Sequence, residues 1–209
     1  MSDKRIDYYF CLNSPWVYLS QRRLEQIAAD AGARIRYWPV DLREMMIRLL
    51  GDDEAPERSE LHRKYGKREM QRWAEFYGLP LSEKPEYYPV SQRRAALMTV
   101  ACDRLGMETG KLVFALPQAV WAQDRNINDW RELEEIANEA GLPGDILVQA
   151  AQDPLTEDEF MQNTEDALKR DVFGIPSYVV NGELFWGQDR LEFVRDTLLG
   201  GVETLAEIE

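Results

Sequence analysis

Apolar positions cluster or alternate at the two ends of the chain and recur at helical spacing in between. At the amino end, residues 5–12 (RIDYYFCL) place tyrosine, phenylalanine, cysteine and leucine close together, which predicts a β-strand. Over residues 15–31, Val17, Leu24, Ile27, Ala28 and Ala31 fall near one helical face, and Gly32 supplies a stop. Residues 34–40 (RIRYWPV) alternate again. A strand, a helix and a second strand in this order predict a parallel β-α-β unit.

The middle of the chain reads as helix after helix. Residues 41–50 carry Leu42, Met45, Met46, Leu49 and Leu50 on one face, and residues 59–77 carry Leu61, Tyr65, Trp73 and Phe76. Further helices are predicted over 91–106, 111–123, 129–141, 143–152 and 156–171. Gly106, Gly110, Gly141, Pro143 and Pro154 serve as punctuation between them. Strand chemistry returns at 172–187. There Asn181-Gly182 separates SYVV from ELFW, the signature of a two-residue hairpin turn. Residues 189–199 close the pattern as an amphipathic helix, with Asp189 at its expected N-cap.

One sheet built from both ends follows from this order. Residues 1–41 and 171–209 would form a discontinuous α/β domain, and residues 42–170 an all-helical insertion between its β-α-β and α-β-β-α halves.

Composition narrows the function classes. The net charge of −13 opposes a phosphate backbone or an anionic membrane. A small anionic ligand stays open if helix amides or local cations receive it. No apolar run approaches the ~18–20 residues of a membrane span, and MSDKRIDYYF lacks the pattern of a secretory signal. A cytoplasmic protein is expected. The two cysteines, Cys11 and Cys102, sit in apolar runs and are expected as small buried hydrophobes. The single histidine, His62, argues against a histidine metal site or a Ser-His-Asp triad. Trp38, Trp73, Trp121 and Trp130 stand among apolar residues and are expected in the core, with Trp121 also a candidate wall for an aromatic substrate.

Two motifs carry chemistry. Ser14-Pro15-Trp16 stands between the first strand and the first helix, where thioredoxin-like folds carry Cys-Pro-x-Cys. Helix-terminal amides there stabilise a thiolate. With Ser14 and Val17 at the cysteine positions no dithiol forms, but a hydroxyl can still donate to a thiolate supplied from outside. Gly174-Ile175-Pro176-Ser177 opens the hairpin, and a proline is tolerated at a strand's first residue. In thioredoxin-like folds the corresponding proline is cis, with the preceding residue's backbone free to pair with a ligand.

Together YYFCLNSPWVYL and DVFGIPSYVVNGELFWGQDRLEFV resemble the 2-hydroxychromene-2-carboxylate isomerase family, relatives of kappa-class glutathione transferases and DsbA-type oxidoreductases. The resemblance implies a thioredoxin-like α/β fold with a large helical insertion, glutathione as cofactor, a small aromatic anionic substrate and a homodimer. It implies that Ser14 hydrogen-bonds the glutathione thiolate and that Pro15 and Trp16 lie beside the tripeptide. Ile175, before cis Pro176, would pair with its cysteinyl part. Gln188 and Asp189 would hold its γ-glutamyl end, and Arg190 would match an arginine that reaches across the dimer. His62 stands where the pattern has a lysine and is carried over as a ligand contact. Asp52 replaces an asparagine, and Glu69 stands where an aspartate is usual. The expected activity is cis/trans isomerisation of an unsaturated aromatic pyruvate through thiolate addition. The alternatives are a kappa-like transferase or peroxidase acting on another electrophile, and a non-catalytic thioredoxin-like module holding an extended peptide.

Overall fold

A computed structural model describes residues 4–51 and 59–200. Asp52 lies outside them. Strand β1 (Arg5–Phe10) leads into helix α1 (Pro15–Ala31) and strand β2 (Arg34–Pro39). Seven helices follow: α2 (Leu42–Leu50), α3 (Glu60–Tyr77), α4 (Arg93–Arg104), α5 (Thr109–Gln123), α6 (Trp130–Glu139), α7 (Gly144–Ala151) and α8 (Pro154–Lys169). The chain ends its described part with β3 (Ser177–Val180), β4 (Glu183–Trp186), a 3₁₀ turn over Gln188–Arg190, and α9 (Leu191–Leu199).

The sheet has the order β2-β1-β3-β4, so strands from both ends of the sequence share it. β1 and β2 are parallel, as expected of a β-α-β unit, while β3 runs antiparallel to both β1 and β4. Asn181 and Gly182 both have positive φ (52° and 88°), the type I′ pattern that Asn-Gly favours. The centre of the sheet is aromatic: the Tyr8 ring stacks between Phe10 at 4.7 Å and Tyr178 at 5.2 Å, all fully buried. That cluster continues without a break into α4–α8 through Leu112, Leu116, Leu133 and Phe160.

Several boundaries differ from the expectation for definable reasons. α8 starts at Pro154 rather than after it. Asp153 caps it through the Leu155 amide (2.9 Å), and a proline at the first helical position loses no hydrogen bond. α5 begins at Thr109 and runs through Gly110. A Cβ on Gly110 would stand 2.6 Å from Glu25 Oε1 and 2.7 Å from the Tyr37 hydroxyl, so this glycine serves a close helix–sheet approach, not a break. Asp189 is not the cap of the last helix. It lies within the 3₁₀ turn, its carboxylate paired with Arg190 at 2.9 Å, and α9 starts two residues later.

Candidate functional site

β1 ends at Phe10, and the next four residues carry the chain to α1. Ser14 occupies the N-cap position with extended backbone (φ −84°, ψ 129°), and Pro15 is the first helical residue. A cap serine normally accepts from an amide in the first turn. Ser14 does not: its hydroxyl caps nothing and has no partner among the described residues, although the residue is only 6% exposed. The hydroxyl stands unspent at the positive end of a seventeen-residue helix.

The second motif arrives beside it through strand register. Tyr9 pairs with Ser177 in the antiparallel β1–β3 ladder. The ladder ends at that pair, so Pro176 and Ile175 lie just past its last rung, at the end of the sheet where β1 leads on toward Ser14. The Ile175–Pro176 bond is cis, as expected. Neither backbone polar group of Ile175 is hydrogen-bonded among the described residues, whereas the Pro176 carbonyl accepts from Gly187 N at 2.9 Å.

A cleft of about 240 Å³ opens here between the 3₁₀ turn and α3. Its walls include Trp16, Ile175, Pro176, Gln188 and Asp189 from the expected set, joined by Trp73, Glu69, Trp186 and Gly187. Three indoles therefore face one small space. Gln188 is 5% exposed, and its side-chain Oε1 has no hydrogen-bond donor. A buried, unpartnered carbonyl oxygen costs free energy until something donates to it. Gly187 makes the turn possible: its φ is 112°, and a Cβ there would meet the Asp189 carboxylate at 2.6 Å. Gly174 is equally specified, since a Cβ would stand 2.6 Å from Trp186 Nε1.

No dithiol chemistry is available at this loop. Cys11, three residues before Ser14, is 2% exposed and free, and burial pushes its thiol up to about 12, with the Asp41 carboxylate adding to the shift. Cys102 is also buried and free, its thiol pushed up to about 11 by burial. Both cysteines are the inert, buried residues expected of them.

Four members of the expected set do not line the cleft: Ser14 and Pro15, which immediately precede the lining Trp16, and His62 and Arg190. His62 sits exposed in the first turn of α3, where its Nδ1 meets the Ser59 hydroxyl at 2.7 Å. It lies about two helical turns from Glu69, the α3 residue that does line the cleft. Arg190 is not in the wall, and its guanidinium pairs with the Asp189 carboxylate at 2.9 Å. Conversely, Trp73 and Trp186 were not expected at the site; the hydrophobic pattern assigns Trp73 to the core, and Trp73 both packs against the core and lines the cleft. A signal existed in α3: Glu69 and Trp73, four residues apart, share a face that also carries charge, which a core stripe would not. A larger hollow of about 420 Å³, between α1, α5 and α6, contains none of these groups; its lining mixes Arg22 and Lys111 with Glu25 and Glu139.

Comparison with known proteins follows the same lines as the geometry. The DSBA-like thioredoxin domain family matches residues 5–199. A 2-hydroxychromene-2-carboxylate isomerase from Sphingobium xenophagum is 30% identical over 198 residues, covering 94% of this chain and 98% of that protein. A protein of the same name from Pseudomonas sp. strain C18 is 30% identical over 206 residues, covering 97% of this chain and 93% of that one. A solved structure of 2-hydroxychromene-2-carboxylate isomerase superimposes with a TM-score of 0.78 at 26% identity, over 98% of this chain and 99% of that one.

Proposed function

Because the chain belongs to the DSBA-like thioredoxin family and groups there with 2-hydroxychromene-2-carboxylate isomerases, we propose that it is a glutathione-dependent isomerase of a 2-hydroxychromene-2-carboxylate-type substrate, a small aromatic anion. The observation that carries the glutathione assignment is the buried, unpartnered side-chain oxygen of Gln188, a residue of the cleft wall. An ammonium group satisfies it, and the Asp189 carboxylate beside it supplies the opposite charge. The open backbone of Ile175 suits an extended peptide, which pairs through its own N–H and C=O. Trp16, Trp73 and Trp186 offer flat apolar cover to the body of such a ligand.

When bound, glutathione supplies a thiolate whose reversible addition to a conjugated double bond makes that bond rotatable. Ser14 donates its uncommitted hydroxyl toward the sulfur position and takes no acyl or alkyl group itself. The Trp16 and Val17 amides, unpaired in the first turn of α1, add positive potential at the same place and lower the thiol's pKa. The charge of Asp189 is balanced by Arg190, so the acidic wall does not repel an anionic tripeptide as a bare carboxylate would.

Titration calorimetry with glutathione, followed by spectrophotometric turnover of 2-hydroxychromene-2-carboxylate in its presence, tests the assignment. Binding together with glutathione-dependent conversion is expected. Binding without conversion would move the chain to a transferase on another electrophile, and no binding would end the glutathione reading. We propose in addition a cytoplasmic homodimer. Two free cysteines support the compartment. The exposed Leu61, Tyr65 and Phe76 on α3 support the pairing. Sedimentation velocity should show a two-chain species, and a monomer at all concentrations would refute it. Among the described residues no helix is long and apolar enough to cross a membrane.

A further inference from the structure

The peptide unit joining Asn13 to Ser14 is held at both of its polar ends. Its carbonyl accepts from Trp121 Nε1 at 3.1 Å, and its N–H, on Ser14, donates to Cys11 O at 3.2 Å. A peptide is planar, so two bonds on opposite edges fix its orientation. That plane carries the Ser14 N–Cα bond and, with the residue's φ of −84°, sets where its Cα–Cβ bond points. Trp121 belongs to α5, 108 residues away. It is 4% exposed, and Tyr88 packs against its ring at 4.7 Å.

Neighbouring bonds fix the rest of the loop but not that carbonyl. Asn13 Nδ2 donates to Val90 O at 2.9 Å. Gln92 accepts from Leu12 N at 2.7 Å through Oε1 and donates to Val40 O at 2.7 Å through Nε2. All of these partners come from the helical segment between the two halves of the sheet or from the end of β2. The Ser14 hydroxyl itself has no bond to hold it. Its aim therefore rests on the backbone, which the Trp121 bond to Asn13 O helps to hold together with the Ser14 N–Cys11 O and Tyr18 N–Ser14 O bonds.

We propose that Trp121 is a positioning residue for Ser14, its indole N–H holding the serine at the angle needed to stabilise a thiolate. This rests on the reading of Ser14 given above. The role belongs to the N–H and not to the bulk of the ring. Phenylalanine keeps most of the packing against Tyr88 but donates nothing.

Trp121→Phe is compared with wild type and with Trp130→Phe, which alters a half-buried indole of the same helical segment away from the loop. Two readouts are taken. In the unliganded protein, amide hydrogen exchange of Ser14 is followed by NMR; it is expected to quicken about tenfold in Trp121→Phe and to stay unchanged in Trp130→Phe. With glutathione, the thiol pKa of the bound ligand, read from thiolate absorbance, is expected to rise by about one unit. The kcat is expected to fall about tenfold, while the KM for glutathione stays within about twofold because the cleft is untouched. Exchange and thiol pKa equal to wild type overturn the proposal. Faster exchange with unchanged thiol pKa and kcat also overturns it, leaving the bond as packing only. Should wild type fail to bind glutathione, the functional reading falls, while the exchange readout still decides whether Trp121 holds Ser14. If Trp121→Phe does not fold, β-(3-benzothienyl)alanine at position 121 keeps the bicyclic shape, removes the N–H, and is judged by the same outcomes.

Discussion

Gly174 and Trp186 occupy each other's space: the glycine's missing Cβ would stand 2.6 Å from the indole Nε1 and 2.9 Å from the neighbouring ring carbon. Trp186 is 52% exposed and packs edge-on to Phe173 at 4.9 Å, so what keeps it over the cleft is contact with this bare backbone. Gly174→Ala should push the indole away. Overpacking of this kind costs about 1–3 kcal/mol, and glutathione affinity should weaken about tenfold. Denaturant titration reports the first effect and calorimetry the second. An alanine variant with wild-type affinity would show that Trp186 does not cover ligand.

Ser14→Ala should separate function from capping. An ordinary N-cap serine contributes roughly 1 kcal/mol to its helix. Ser14 makes no cap bond, so the stability change should stay below about 0.5 kcal/mol. Turnover should fall about a hundredfold. Urea unfolding and initial rates measure the two. A full cap penalty with unchanged turnover would return Ser14 to a purely structural role.

Asp189→Asn should reveal what the end of the cleft recognises. On the proposed reading, the Asp189 carboxylate and the Gln188 side-chain oxygen receive an ammonium. The variant should bind glutathione about tenfold more weakly. Its affinity for a glutathione analogue lacking the α-amino group should match that of wild type. Equal losses for both ligands would assign Asp189 to another part of the ligand.

The buried thiols give a pH prediction. Cys11 is pushed up to about 12 and Cys102 up to about 11, against roughly 8.5 in an unfolded chain. A group with a raised folded pKa stabilises fully below its unfolded value and loses that contribution as pH climbs toward the folded one. Stability should therefore decline above about pH 8.5, each thiol contributing up to about 1.4 kcal/mol per pH unit. Cys11→Ala should flatten that decline relative to wild type in chemical denaturation between neutral and alkaline pH. The same burial should keep both thiols unalkylated by iodoacetamide in the folded protein at mildly alkaline pH.

Much of the architecture was legible because local signals agreed with the global fold. Asn181-Gly182 demanded a tight hairpin, and the alternating RIRYWPV could form only a strand. A Ser-Pro at a helix start and an Ile-Pro at a strand start marked the two sides of the site. Its remaining walls were not legible. Periodicity places Trp73 against the core, where it does pack, but does not tell that the same ring also lines a cleft. His62 read as a ligand contact by analogy with a lysine, yet the first turn of α3 spends it on Ser59. Gly110 read as a break because sequence alone cannot show Glu25 and Tyr37 closing on it. The Trp121–Asn13 bond spans a separation that no local pattern reports.

Gln92 gives the helical segment a standing that the word insertion understates. One side chain serves the amide of Leu12 and the carbonyl of Val40, two residues and one residue past the ends of two adjacent parallel strands. Delete the segment, and both groups lose their partner at the buried mouth of the sheet, each at a cost of about 1–3 kcal/mol. The sheet and the helices thus form one thermodynamic unit. Changes inside those helices are therefore felt at the mouth of the sheet through this one side chain.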